Sequence, residues 1–106
     1  MAKYLVMAQY TSEGVKGVLK DGGTKRQQAA DAAVKSVGGR VEAFYFAFGE
    51  QDAYVIVDVP DNVSAAAASL AIASSGIVNP RTVVLLTPEE IDQATKKGAT
   101  YTAPGR

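Results

Sequence analysis

Cysteine and histidine are both absent from the 106 residues of the chain. Their absence excludes thiol nucleophiles, Cys/His zinc sites, iron–sulfur ligation and imidazole acid–base chemistry. Any catalysis would have to use Tyr, Asp, Glu, Lys or Arg, and these residues form no recognisable catalytic motif. We therefore expect no metal ion and no cofactor, and the sequence leaves open whether the protein is an enzyme.

An excess of charge of either sign is also missing, because 11 Lys and Arg residues balance 11 Asp and Glu residues. A chain without net charge has no long-range field that attracts the phosphates of nucleic acid or of anionic lipid, so we expect neither partner. Long apolar runs are lacking too, since the opening MAKYLVMAQY is too short for a signal sequence or a membrane span. These observations favour a cytoplasmic protein.

Aromatic and β-branched residues are concentrated between Arg40 and Val59, where they predict strands. Gly49 breaks the run, and residues 49–52 (Gly-Glu-Gln-Asp) predict a four-residue loop that joins two strands into a β-hairpin. In that hairpin Phe48 lies opposite Ala53. The pairs that follow are Phe46 with Val55, Phe44 with Val57, and Glu42 with Val59.

The predicted loop depends on Gly49 and Asp52. We interpret both as structural turn residues, because glycine readily adopts positive φ and an Asp side chain can bond to its own backbone. Alternatively, Asp52 is an acid at the rim of a binding site.

Both faces of the predicted hairpin are apolar. One face carries three phenylalanines, and the other combines small, aromatic and acidic side chains: Ala43, Tyr45, Ala47, Tyr54, Ile56 and Asp58. An antiparallel sheet that is apolar on both sides needs cover on both sides, and a chain of this length has helices for only one. The second face is therefore predicted to meet another copy of the chain, in a homodimer or a higher homo-oligomer.

Periodicity and capping residues indicate the remaining elements. They are a strand over 3–10, a helix that begins at Thr11 or Ser12 and is interrupted at Gly22-Gly23, a segment capped by Thr24 that covers 25–37, a helix over 63–75, a strand over 81–86, and a short helix to residue 96 after a capping box at 87–90. The helix over 63–75 is expected to bury Val63, Ala66, Ala67, Leu70 and Ala73.

The resulting order, βαββαβ plus a terminal helix, predicts a single α+β domain over 1–97 with an irregular tail over 98–106. It is the order of a ferredoxin-like plait: a four-stranded antiparallel sheet in spatial order 4-1-3-2 with helices on one face. The face of Tyr45 and Tyr54 is then left open.

Several short stretches form a recognisable pattern: Gly38-Gly39 before the hairpin, residues 48–52 at its turn, residues 58–61 at its end, residues 11–14 at the first helix and Arg81-Thr82 in the last strand. Together these stretches resemble the GYD domain family. Gln51 stands where the family has its name-giving tyrosine. The resemblance implies a ferredoxin-like fold of the dimeric α/β-barrel group, in which two sheets pack face to face around a small cavity. It implies no settled biochemical function, since relatives in the wider group include cofactor-independent monooxygenases, isomerases and cyclases.

The candidate ligand-pocket residues are those expected on the open face: Tyr4, Tyr45, Tyr54, Asp58 and Arg81. The tyrosines either fill a subunit interface or line a pocket in which Asp58 serves as a general base or hydrogen-bond acceptor. Arg81 is either a surface charge or a group that holds an anionic ligand. Three functions follow: an oligomeric domain that binds a small apolar or aromatic molecule between subunits, an enzyme of the monooxygenase or isomerase type, or a purely structural assembly module.

Overall fold

The computed structural model describes residues 1–106. The elements in chain order are β1 (Ala2–Tyr10), α1 (Ser12–Asp21), α2 (Gly23–Lys35), β2 (Arg40–Phe46), β3 (Ala53–Val59), α3 (Asn62–Ser74), β4 (Val78–Leu85) and α4 (Pro88–Lys97). The four strands form one antiparallel sheet in the order β2-β3-β1-β4, which is the predicted order read from the other edge. The α+β ferredoxin-like plait is thereby confirmed. The last strand includes Pro80, which an edge strand tolerates.

The hairpin register differs from the predicted one by two residues. Phe46, not Phe48, pairs with Ala53, and the connecting loop spans 47–52. The longer loop follows from Asp52, whose side chain accepts a hydrogen bond from the Tyr10 amide at 2.8 Å and whose own amide donates to the Ala8 carbonyl at 2.8 Å. Asp52 thus fastens the loop to β1. Because side chains alternate with a period of two, this slip leaves the residues from Ala43 to Phe46 on their predicted faces. An irregularity between Val41 and Ala43 reverses the faces before that point, so Glu42, predicted on the face of the phenylalanines, bonds to Lys3 on the open face.

Two predictions about local backbone chemistry in the loops are wrong. Gly49 does not have a positive φ, and a Cβ atom there would meet no neighbour within 4 Å. Thr24 does not cap α2, because that helix begins at Gly23 directly after Gly22, whose φ of +81° ends α1. The caps at Thr11 and Thr87 form as predicted, the second with the reciprocal bond to Glu90.

The core lies between the sheet and helices α1–α3. Its main cluster joins Tyr4, Val34, Val55, Val57 and Val59, and a smaller one joins Ala8, Ala53 and Val78. The predicted buried stripe of α3 is wrong, since Val63, Ala66, Ala67, Leu70 and Ala73 are all exposed, Leu70 by 71%. Instead α3 turns Ala65, Ala68, Ser69 and Ile72 inward. The Ser69 hydroxyl shares a hydrogen bond of 3.1 Å with the Thr82 hydroxyl on β4.

The last helix and the tail lie outside the core. Every residue from Pro88 to Thr102 is exposed, and no helix or strand follows Lys97. The stability of α4 within this chain therefore rests on its own capping box and on the charges at its ends, acidic in the first turn and basic in the last.

Two glycines of α1 offer a matched test of how tightly this helix docks. A Cβ at Gly14 would clash with the Ile77 carbonyl oxygen and lie 2.9 Å from Tyr10 Cδ1, whereas one at Gly17 would meet nothing within 4 Å. We predict that Gly14→Ala lowers the free energy of unfolding by about 1–3 kcal/mol. Gly17→Ala should raise it by about 0.5–1 kcal/mol, through helix propensity alone. Urea titration measures both, and a gain at Gly14 would refute the docking.

Candidate functional site

The uncovered face of the sheet carries three rows of side chains, set by the strand register. Read from β2 to β4, the rows are Arg40, Asp58, Lys3 and Leu85; Ala43, Ile56, Leu5 and Val83; and Tyr45, Tyr54, Met7 and Arg81. The middle row is wholly aliphatic. Tyr45 is 70% exposed and Val83 is 42% exposed. The predicted apolar open face is therefore present, and it brings together Tyr45, Tyr54, Asp58 and Arg81.

Tyr4 does not belong to this face, which corrects the sequence-based grouping. It pairs with Val57 on the helix-covered side and is only 3% exposed. Its hydroxyl donates to the Asn62 side-chain oxygen at the start of α3. Burial of the ring with its hydroxyl satisfied makes Tyr4 a core residue that ties α3 to the sheet.

Asp58 is the centre of an ion-pair cluster at one end of the open face. Lys3 Nζ lies 2.9 Å from its Oδ1 and 2.6 Å from Glu42 Oε2, while Arg40 Nη2 lies 2.9 Å from Asp58 Oδ2. The Arg40 contact lacks hydrogen-bond alignment, so Oδ2 has a counter-ion but no hydrogen-bond donor. With a cation at each oxygen, the carboxylate is placed to hold three strands together, which favours a structural role over a general base.

The same cluster changes the ionisation of Lys3. Hydrogen bonds to Glu42, and then to Asp58, raise the pKa of Lys3 above its ordinary value of 10.5. The Lys3 side chain keeps 31% of its exposure, so solvent screens these charges and limits what they contribute to stability.

A cavity of about 200 Å³ lies on the other face, between α2, α3 and the sheet. Fourteen of its 17 lining residues are hydrophobic, which makes it a site for an apolar group. Ala29, Ala30 and Ala33 on α2 form one wall, with Phe44 and Val55 on the sheet opposite. None of the residues proposed from the sequence lines this cavity. The signal that could have found it is the alanine spacing on α2, because three short side chains facing a valine- and alanine-rich sheet leave space unfilled.

Two polar side chains are unsatisfied near these features. Arg26 lines the cavity, and its Nε is buried without a hydrogen-bond partner. Gln51 has a buried Oε1 that likewise accepts no hydrogen bond. Asp52 lies in the hairpin loop and is occupied by its bond to Tyr10.

A model of the GYD domain matches residues 4–95, from β1 into α4. The chain belongs to the GYD domain family. The ferredoxin-like plait is consistent with this family, and the match covers every residue that lines the cavity and all of the ion-pair cluster except Lys3. No match was found among curated proteins.

Two kinds of structural feature are absent from this GYD-domain protein. None of its helices has the length and apolar content needed to cross a membrane. No three acidic side chains come together in a group that could hold a metal ion.

The raised pKa of Lys3 predicts how stability depends on pH. The folded chain holds the Lys3 proton more tightly than the unfolded chain, so the stabilisation is complete below the ordinary pKa and is lost as the pH rises through the folded-state pKa. We predict that Lys3→Met lowers the free energy of unfolding at about pH 8, and that its deficit relative to wild type shrinks above about pH 11. Urea titrations at both pH values measure the difference.

Lys16→Met is the matched control, because Lys16 is 74% exposed and lies 3.9 Å from Glu13. It should leave stability nearly unchanged at both pH values. A deficit for Lys3→Met that is independent of pH would show that the ion pairs are not its cause.

Proposed function

We propose that this GYD-domain protein is a homo-oligomer whose subunits each bind a small apolar molecule in the cavity between α2, α3 and the sheet. The cavity itself is the observation that carries the proposal. An apolar cavity of about 150 Å³ in an engineered protein binds benzene, so 200 Å³ suits one aromatic ring or a short branched chain. The proposed ligand site thus lies within each chain, whereas the sequence led us to expect it between subunits.

The apolar walls of the cavity support a ligand. The space is partly open to solvent, and a ligand that removed its apolar walls from water would gain roughly 25 cal/mol for each Å² of apolar surface covered. Leucine in place of a single wall alanine, such as Ala33, would gain part of that energy. The presence of three alanines on one wall is explained if a ligand occupies the space that these short side chains leave.

The open face supports self-association. Its middle row is aliphatic, its neighbouring row carries two partly exposed tyrosines, and charge is confined to the Asp58 cluster and to Arg81. This is the composition of an interface core with a charged rim. A second copy of the chain presents the same apolar rows and would cover them.

The assembly is tested by placing a charge in the middle row. Wild type should sediment or scatter as two or more chains of 11.0 kDa. We predict that Leu5→Glu raises the dissociation constant at least about thirtyfold, because it buries an unpaired carboxylate in the interface. Light scattering over a concentration series measures this effect.

Leu70→Glu on the exposed stripe of α3 is the matched control, since Leu70 is 71% exposed. It should leave the assembly intact. If Leu70→Glu dissociates the oligomer and Leu5→Glu does not, α3 is the interface. A wild-type monomer at micromolar concentration would overturn the assembly.

The cavity is tested with toluene as the probe and two neighbouring alanines of α2. At ten times its dissociation constant, toluene should stabilise wild type by about 1.4 kcal/mol, which raises the melting temperature by roughly 5 °C. We predict that Ala33→Leu, which fills the cavity, removes this effect. Ala32→Leu should keep it, because Ala32 is exposed and does not line the cavity.

Equal stabilisation of both variants would place toluene elsewhere, and no stabilisation of wild type would overturn ligand binding in the cavity. Recovery of the probe unchanged after incubation separates binding from turnover.

A further inference from the structure

Arg26 is the one charged residue among those that line the cavity. Its Nε is buried and donates no hydrogen bond within the chain. The ion pairs of the chain involve Lys3, Lys16 and Arg40, so no carboxylate neutralises the Arg26 guanidinium. Two residues with hydroxyl groups also line the cavity, Tyr10 and Ser75, and the Ser75 hydroxyl already donates to the Ile72 carbonyl at 2.7 Å.

A buried donor without a partner destabilises the fold, and more so when the group is charged. A helix residue that only covered the cavity would be apolar, like the alanines that follow Arg26 along the same wall. Guanidinium instead presents Nε and a terminal nitrogen as a planar fork that matches the two oxygens of a carboxylate. The arrangement is therefore complementary to an anion with an apolar body.

We propose that the ligand of this cavity is a small monocarboxylate, with its ring or branched chain in the cavity and its carboxylate on Arg26. This rests on the proposed function, that the cavity binds a ligand at all. A single cation matches the single charge of a carboxylate, whereas a phosphate monoester carries about −1.5 to −2 and would leave charge uncompensated beside apolar walls. The volume of about 200 Å³ limits the body to about one aromatic ring.

Phenylacetate and phenylacetamide are the probes, because they share a ring and a shape and differ in charge. Calorimetric titration of the full chain should show phenylacetate binding at least about tenfold more tightly than phenylacetamide, as a charge-assisted hydrogen bond predicts. Acetate, which lacks the ring, should bind at least about tenfold more weakly than phenylacetate. Ala33→Leu should abolish binding of both aromatic probes.

Arg26→Gln should remove the preference for phenylacetate while leaving phenylacetamide affinity within about twofold. Arg81→Gln is the matched control, because Arg81 lies on the open face, opposite the cavity, and was the anion-binding candidate from the sequence. It should keep the full preference. If Arg26→Gln does not fold, Arg26→Lys retains the charge without the fork, and the preference should fall severalfold.

The outcomes separate the two proposals. Equal affinity for the two aromatic probes, or a preference that survives Arg26→Gln or Arg26→Lys unchanged, overturns the carboxylate assignment and leaves the apolar site standing. Loss of the preference in Arg81→Gln moves the anion to the open face and also overturns it. If toluene, phenylacetamide and phenylacetate all fail to bind, the proposed function fails and the carboxylate assignment fails with it.

Discussion

Coverage of the sheet is the constraint on which the rest of the molecule depends. Three helices pack on one face of four strands, and α2 and α3 present alanine-rich surfaces to it, while the other face keeps an aliphatic row between a row with two tyrosines and the Asp58 ion-pair cluster. On the covered face, the role of a side chain therefore depends on how it packs in the core. On the open face, its role depends on how it would contact a second protein surface.

That constraint assigns different roles to residues of the same type. Tyr4 and Tyr45 both sit in strands, yet Tyr4 is 3% exposed with its hydroxyl bonded to Asn62, and Tyr45 is 70% exposed. Arginine divides in the same way. Arg40 neutralises Asp58 on the open face, whereas Arg26 reaches the covered side with no partner in the chain. The polar group that is left without a partner, and is therefore available to a ligand, thus lies on the helix-covered side of the sheet, opposite Tyr45 and Tyr54.

Most of the fold could be predicted because its signals are local: alternation in the strands, the Gly22-Gly23 interruption, the caps at Thr11 and Thr87. The errors arise where tertiary contacts decide. Asp52 bonds to β1 and lengthens the hairpin loop, which no turn preference within 49–52 could show. In α3, alanines occupy nearly every side, so periodicity could not identify the inward stripe, and the hydroxyl bond between Ser69 and Thr82 accompanies the other choice. β1 is apolar on both faces, so alternation alone could not place Tyr4.

The cavity was missed from the sequence for a different physical reason. An unfilled volume is not a property of any single residue. It depends on the distance between the helices and the sheet, and on the sizes of many side chains from α2, α3 and all four strands. Helix propensity explains Ala29, Ala30 and Ala33 equally well as thin spacers or as a wall. Arg26 breaks that equivalence, because a spacer helix gains nothing from an arginine whose buried Nε has no hydrogen-bond partner, while a wall that faces an anion does. The charge on α2 therefore tells more about function than the aromatic residues of the hairpin do.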